Sequence, residues 1–350
     1  MESQLKIVVI GAGLIGTSIA LGAKRAGAET ELIDADGRAQ ALANDLLSNQ
    51  KVSDPDIVVI ATPTSALNSV LSKFKSLYPK STFIDIGSTK TKVLLEVQQD
   101  TLLSERFCPT HPMAGRELDG AEAAQSDLFV GKSWIITPLA RTSSETIAKT
   151  RNLIELLGAR VIQMDAGEHD LAVATVSHLP QLVSSLLAAQ LVDKSDNYLA
   201  LAGSGIMDTT RIAGSNPNLW REILELNREA LLPLLKNLRV DLDKLIENYD
   251  VETLLQRGRK GRHLLPGKHR SASRDYTYLP VVLEDKPNQL AALFNECAQA
   301  NVNVEDITIE HSPEQETGLV ILALSANNAE ILQQHLSAGG WRVHPPRSEQ

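Results

Sequence analysis

The chain has 350 residues, 43% hydrophobic and 22% charged, an ordinary composition for a globular protein with room for two or three domains. Its net charge of −9 argues against a bulk task of binding nucleic acid or an anionic membrane. The two cysteines, Cys108 and Cys297, have no metal-ligand spacing and read as reduced thiols of a cytoplasmic protein, and Met1-Glu2-Ser3-Gln4 lacks the charged start of a secretory signal.

Residues 5–10 form a β-branched run without alternation, the pattern of a central parallel strand covered on both faces. Gly11-Ala12-Gly13-Leu14-Ile15-Gly16 follows directly, and a helix-like stretch, 17–26, follows that. In such a Gly-x-Gly-x-x-Gly, Gly11 permits a tight turn and Gly13 lets a pyrophosphate reach the backbone. Gly16 lets helix and strand pack closely. The helix start at Leu14 and Ile15 then faces the phosphates.

The next strand, 29–33, ends in Asp34, placed to meet adenosine ribose hydroxyls and so favouring NAD. Arg38 nearby is placed to pair with the 2′-phosphate of NADP instead. A strand over 56–61 ends at Thr62-Pro63, which is either a cofactor-facing edge or a plain strand stop. The strand 81–86 leads into Asp85-Ile86-Gly87-Ser88-Thr89-Lys90. Ligands of open parallel sheets gather beyond the carboxyl ends of strands, so Ser88 is placed to orient a catalytic group or touch a nicotinamide. The alternative is a helix N-cap, from Ser88 or Thr89. A short extended piece, 107–109, then delivers His111 within Thr110-His111-Pro112-Met113-Ala114-Gly115, a histidine on a rigid turn. Strands over 133–137 and 159–164, with a helix over 141–157 between them, complete a Rossmann-type α/β domain, 1–165.

From 166 to about 262 the strand signals vanish, which predicts an all-helical domain, 166–268. The stretch 168–193 is long, apolar and helical, and Pro180 in Ser177-His178-Leu179-Pro180-Gln181 predicts a kink. Polar interruptions argue against a membrane span, and apolar residues on most faces predict burial against a twin subunit. A further helical run covers 197–201, and a long helix ends near 238. Arg211 lies in a mostly uncharged stretch. Its guanidinium suits either a substrate carboxylate, held bidentately, or Asp208 one helical turn away. His178 alone reads more naturally as a satisfied interior residue.

Together Gly11 to Gly16, Asp85 to Lys90, His111 to Gly115 with Glu117, Ser177 to Pro180 and Asp208 to Ala213 resemble the prephenate/arogenate dehydrogenase family of tyrosine biosynthesis, over about residues 5–270. The resemblance implies a homodimer that uses NAD to convert prephenate to 4-hydroxyphenylpyruvate by oxidative decarboxylation, with arogenate as the alternative substrate. It implies that His111 takes the proton of the C4 hydroxyl as the hydride leaves, that Ser88 orients His111 and contacts the cofactor, and that Arg211 holds a substrate carboxylate. It places Glu117, His178, Gln181 and Asp208 around the substrate. Many prephenate-specific members carry a second histidine where this chain has Gln181, beside the substrate's side chain. A neutral base predicts a rate that falls at mildly acid pH as His111 protonates. The rival readings are a hydroxyacid or imine-forming dehydrogenase, which usually places a lysine on its helical domain, and a non-catalytic sensor of NAD and an amino acid.

The basic runs 257–263 and 268–270 read as a solvated linker or a surface for subunit and anion contacts, with nucleic-acid binding as the remote alternative. From 275 the pattern is strand, helix, strand, strand, helix, strand, and it resembles an ACT domain, a ferredoxin-like regulatory α+β module, over 275–350. The usual Pro-Gly-x-Leu turn is Pro287-Asn288-Gln289-Leu290 here. That resemblance implies tyrosine as an effector, with Asn288, Asn303 and Asp306 as candidates; plain turn chemistry is the alternative for all three.

Overall fold

The structure is a computed structural model that describes residues 4–48, 50–115, 120–265, 276–284, 286–310 and 317–348. The chain divides into two compact units, Met1–Leu242 and Asp243–Gln350.

The first unit is built on seven strands: β1 (Lys6–Ile10), β2 (Glu29–Ile33), β3 (Ile57–Ile60), β4 (Thr82–Asp85), β5 (Phe107–Pro112), β6 (Ser133–Ile136) and β7 (Arg160–Gln163). They lie in the order β2-β1-β3-β4-β5-β6-β7. Alternate side chains of β1 enter opposite cores. Ile7 and Val9 meet the helices Leu14–Arg25 and Ser144–Leu156 on one face, while Val8 and Ile10 meet the helix Leu67–Leu77 on the other. Burial on both faces is why the strand reads as a continuous apolar run, and each such side chain contributes about 1.5–3 kcal/mol. Because β1 pairs with β2 on one side and β3 on the other, a crevice opens beyond their carboxyl ends. Gly11 and Thr62 stand at its two edges.

His111 lies on a strand and not on the turn its sequence suggests. The first half of β5 pairs in parallel with β4, and its second half pairs antiparallel with β6, with His111 opposite Ile135. Thr110 locks this switch: its N–H donates to Asp85 Oδ1 (3.1 Å), its hydroxyl donates to the Asp85 carbonyl (2.6 Å), and it accepts from Trp134 Nε1 (2.9 Å).

The expected long helix over 168–193 is three pieces: an α-helix at Ala166–Val173, a π-turn at Ala174–His178 and a second α-helix at Leu179–Ala189. Pro180 would clash with a carbonyl one α-turn back, and the wider turn relieves it. Ala166–Ala189 is long and apolar enough to cross a membrane by length and composition alone, and only 28% of its most apolar window is buried within one chain. The long helix expected to end near 238 is likewise two, Pro217–Leu226 and Arg228–Asn248, broken at Asn227.

In the second unit Val251–His263 is helical, so much of the basic run is a helix and not a linker. Asp250 caps it by accepting from Thr253 N–H, and Lys260, Arg262 and His263 sit at its C-terminal end, where cations oppose the dipole. A small antiparallel sheet follows, made of β8 (Thr277–Glu284), β9 (Asp306–Glu310), β10 (Thr317–Leu324), β11 (Arg342–Val343) and a further short strand, β12 (Arg347–Ser348). Its order is β11-β8-β10-β9, with β12 on β8. Leu279, Val281 and Leu283 alternate inward from β8 against the helices Gln289–Gln299 and Ala326–Ala338.

Candidate active site

The glycine loop has the shape of a phosphate cradle. Gly11 holds a φ of +114°, and a side chain there would strike the Ala61 carbonyl. A side chain on Gly16 would strike the Gly11 carbonyl, which explains why both must be glycine. A Cβ on Gly13 would meet nothing within 4 Å, so that face is open. No side chain caps the helix that Leu14 and Ile15 begin, so its first N–H groups are available to an anion. Asp34 is tied to the loop: it accepts from Ala12 N–H at 2.6 Å and from Asp36 N–H at 2.8 Å. Opposite, the Thr62 hydroxyl is buried without a partner, and Pro63 starts the short turn Thr64–Ala66. An open glycine, an uncapped helix start and an orphaned hydroxyl fit a dinucleotide.

Beyond β4 and β5 lies a buried polar cluster. The Lys90 ammonium, fully buried, pairs with Asp85 Oδ2 at 2.6 Å. Asp170 Oδ1 accepts from Lys90 N–H and Oδ2 from Thr91 N–H, each at 2.8 Å. The cap of the helix Thr91–Val97 is therefore Asp170, from 80 residues away, rather than Ser88 or Thr89. Asp170 Oδ1 also lies 2.8 Å from His169 Nδ1, and His169 Nε2 lies 2.9 Å from His111 Nδ1. On the other side Asn227 Nδ2 donates to the Asp170 carbonyl (2.8 Å) and meets His178 Nδ1 (2.9 Å). The His178 ring stands edge-on to Trp220.

Electrostatics keep His111 and His178 neutral. Burial, then the proximity of His169, Lys90 and His178, where a second positive charge is disfavoured, hold His111 well below the usual histidine range, with Asp170 opposing. Burial pushes His178 down to about 4. Burial raises Asp170, but hydrogen bonds from His169, Thr91 and Lys90 outweigh it and leave the carboxyl at about 2. With its Nδ1 engaged by His169, His111 has Nε2 left to accept a proton.

The other predicted residues fall in two groups. Ser88 is half-buried, and the hydrogen bond that orients His111 runs to His169 instead of Ser88. His178 is buried inside the cluster. Gln181 is also buried, and its amide donates to the Ile212 carbonyl at 2.9 Å, holding the turn Arg211–Gly214. Its expected reach toward the substrate thus becomes a hold on the turn that Arg211 opens. Arg211 and Asp208 are both exposed, and no ion pair joins them among the described residues. Glu117 lies outside the described residues. In the second unit, Asn288 adopts φ +71° ahead of Gln289–Gln299 and lines a cavity of about 360 Å³ with Leu283, Pro287, Leu290, Ile309 and Val320. Asn303 bonds Glu305 (3.0 Å), and the Asp306 carboxylate accepts from Ile307 N–H (2.9 Å).

Sequence reasoning missed His169, Asp170 and Asn227, and gave Lys90 no role. The available signal was an adjacent His169-Asp170 pair opening an otherwise apolar helical run.

Comparison with known proteins agrees with this geometry. The family description "prephenate dehydrogenase, nucleotide-binding domain" matches residues 13–163, and "prephenate dehydrogenase, dimerization domain" matches 165–257. The chain is 28% identical to the prephenate dehydrogenase of Bacillus subtilis, over 93% of this chain and 94% of that one. It is 32% identical to the cyclohexadienyl dehydrogenase of Zymomonas mobilis, over 71% of this chain and 91% of that one. Among solved structures, Aquifex aeolicus prephenate dehydrogenase with hydroxyphenyl propionate and NAD+ is 26% identical, with a TM-score of 0.67, covering 74% of this chain and 96% of that one. Synechocystis arogenate dehydrogenase is 30% identical, with a TM-score of 0.62 over 74% of this chain and 99% of that one. With the two matched regions running from the cradle's Gly13 through the histidine cluster, the chain belongs to the prephenate dehydrogenase family.

Proposed function

We propose that this protein is an NAD-dependent prephenate dehydrogenase, and the observation that carries it is His111, neutral and with no hydrogen bond at Nε2 among the described residues, on the sheet that bears the dinucleotide cradle. NAD, when bound, accepts the hydride from C4 of the substrate. Gly11, Gly13, Gly16, Asp34 and Thr62 hold it, and Asp34 is the reason for NAD over NADP. His111 Nε2 takes the proton of the C4 hydroxyl as the C4–H bond breaks. The ring carboxylate then leaves as carbon dioxide, its bonding pair enters the ring, and the C4 oxygen becomes a phenolate. That oxygen recovers its proton from His111, so no proton is gained or lost overall. A base held well below the usual histidine range suits such a loan, because its conjugate acid returns the proton readily. Aromatisation supplies the driving force, and the protein's task is chiefly positioning.

In this reading Arg211 holds a substrate carboxylate, and Gln181 supports it by fixing the Ile212 carbonyl on the same turn. His178 faces the substrate, with Asp208 and Ser88 around it. A second copy covers the exposed apolar face of Ala166–Ala189, in keeping with the matched dimerization domain. The C-terminal unit is an ACT module, and its cavity at Asn288 binds tyrosine as an effector.

An absorbance assay for NADH with prephenate and with arogenate, with and without tyrosine, tests all of this. NADH from prephenate is expected; turnover of arogenate alone would reassign the substrate, and tyrosine binding without turnover of either would make the protein a sensor.

A further inference from the structure

We infer that Asp170 fixes the tautomers of two active-site histidines and fixes them opposite. Its carboxylate, acting through His169, leaves His111 with a bare Nε2; its backbone carbonyl, acting through Asn227, leaves His178 with an Nε2–H. The inference deepens the reading of His111 as the base and rests on it for its catalytic meaning.

One arm follows from donor and acceptor bookkeeping. The Asp170 carboxylate only accepts, so the 2.8 Å contact requires His169 Nδ1 to carry the proton. In the inferred arrangement His169 carries that one proton, so its Nε2 is an acceptor. His111 Nδ1, 2.9 Å away, must then donate to it, and a neutral His111 keeps its lone pair on Nε2. The other arm starts from the Asp170 carbonyl, which also only accepts. It fixes the Asn227 amide with Nδ2 toward it at 2.8 Å. The second hydrogen of that same NH2 group is directed at His178 Nδ1, 2.9 Å away, which must accept, so the His178 proton sits on Nε2. The site thus offers one ring nitrogen that accepts and one that donates, while both rings are neutral. A hydroxyl that gives up its proton in the reaction is suited by that pairing: its hydrogen goes to His111, and its oxygen can accept from His178 as negative charge grows. His169, Asp170 and Asn227 act through the two histidines and are positioning residues.

The test uses the full-length enzyme with NAD bound and 15N-labelled histidine, at neutral pH. Ring 15N shifts, assigned with His111→Asn and His178→Asn, are expected to show a protonated Nδ1 and bare Nε2 for His111 and the reverse for His178. Either histidine in the opposite form overturns the inference. Asn227→Ala is expected to release the preference of His178 alone. His169→Phe should lower kcat by about a hundredfold, the scale of a misplaced general base, with KM for prephenate within about threefold. His169→Gln places Oε1 where Nε2 stood and should recover kcat to within about tenfold of the parent. Parental kcat and an unchanged His111 tautomer in His169→Phe would sink the proposal. Parental activity in His111→Asn, with the tautomers as stated, would instead remove the base assignment and leave the tautomers standing.

Discussion

Residues 4–242 bury Lys90, Asp85, His169, Asp170, His178, Gln181 and Asn227, whereas every fully buried side chain described in 276–348 is apolar. In the C-terminal unit the polar groups of interest, such as Asn288, stand on the rim of a cavity. A buried polar group costs stability unless it is bonded, so a unit that carries so many has them for a purpose beyond folding. A unit with an apolar core and polar rim can take up or release a ligand without disturbing its core. Under the proposed function, the contrast separates chemistry from regulation within one chain.

The sharpest way to break this contrast is His111→Asn. It is expected to lower kcat about a thousandfold while NAD binds as before, measured by NADH formation and by titration of the cofactor. Arg211→Gln comes next. Losing a charge-assisted contact to a carboxylate should raise KM for prephenate roughly thirtyfold, with a smaller change in kcat.

The pH profile gives a more moderate effect. Because His111 is held well below the usual histidine range, kcat/KM is expected to stay level from pH 8 to about 6 and to fall only in stronger acid. The fall at mildly acid pH that an ordinary histidine predicts is thereby moved down. Stability shifts in the same direction. His178 titrates near 6.5 when unfolded and at about 4 when folded, so the unfolded chain binds the extra proton between those values. Stability is full above pH 6.5 and falls by up to about 1.4 kcal/mol per pH unit toward 4, readable as a lower Tm that His178→Asn makes less steep. The smallest effect is expected in the other unit. Asn288→Gly suits φ +71° and removes the amide, so it should weaken any tyrosine effect severalfold and leave the rate without tyrosine unchanged.

What could be read from sequence was what depends on neighbours along the chain. The run before Gly11 and the spacing of Gly11, Gly13 and Gly16 specify a strand, a turn and a helix locally, and the structure has all three. Asp34 at the end of β2 was legible for the same reason. The cluster was not, because its bonds join distant residues: Asp170 caps a helix 80 positions earlier, and His169 meets His111 across 58. Gln181 was noticed but not understood, since its partner is a backbone carbonyl 31 residues on, and carbonyls leave no mark in a sequence. Pro112 and Gly115 mark His111 in the sequence but suggest a turn there, although β6 takes that segment into the sheet.

The π-turn at Ala174–His178 has a consequence in phase. His169 and His178 are nine positions apart, and on a regular helix of 3.6 residues per turn they would stand about 180° apart. Both are nonetheless buried in the same cluster, one against Asp170 and the other against Asn227. The wider turn takes up about one residue's winding, about 100°, and leaves the two rings about 80° apart, on one side of the helix. Winding 174–178 as a regular α-turn at unchanged chain length would swing His178 about 100° away from Asn227, whereas deleting one residue there would remove the wide turn and keep the phase, so the extra residue is a timing device as much as a structure.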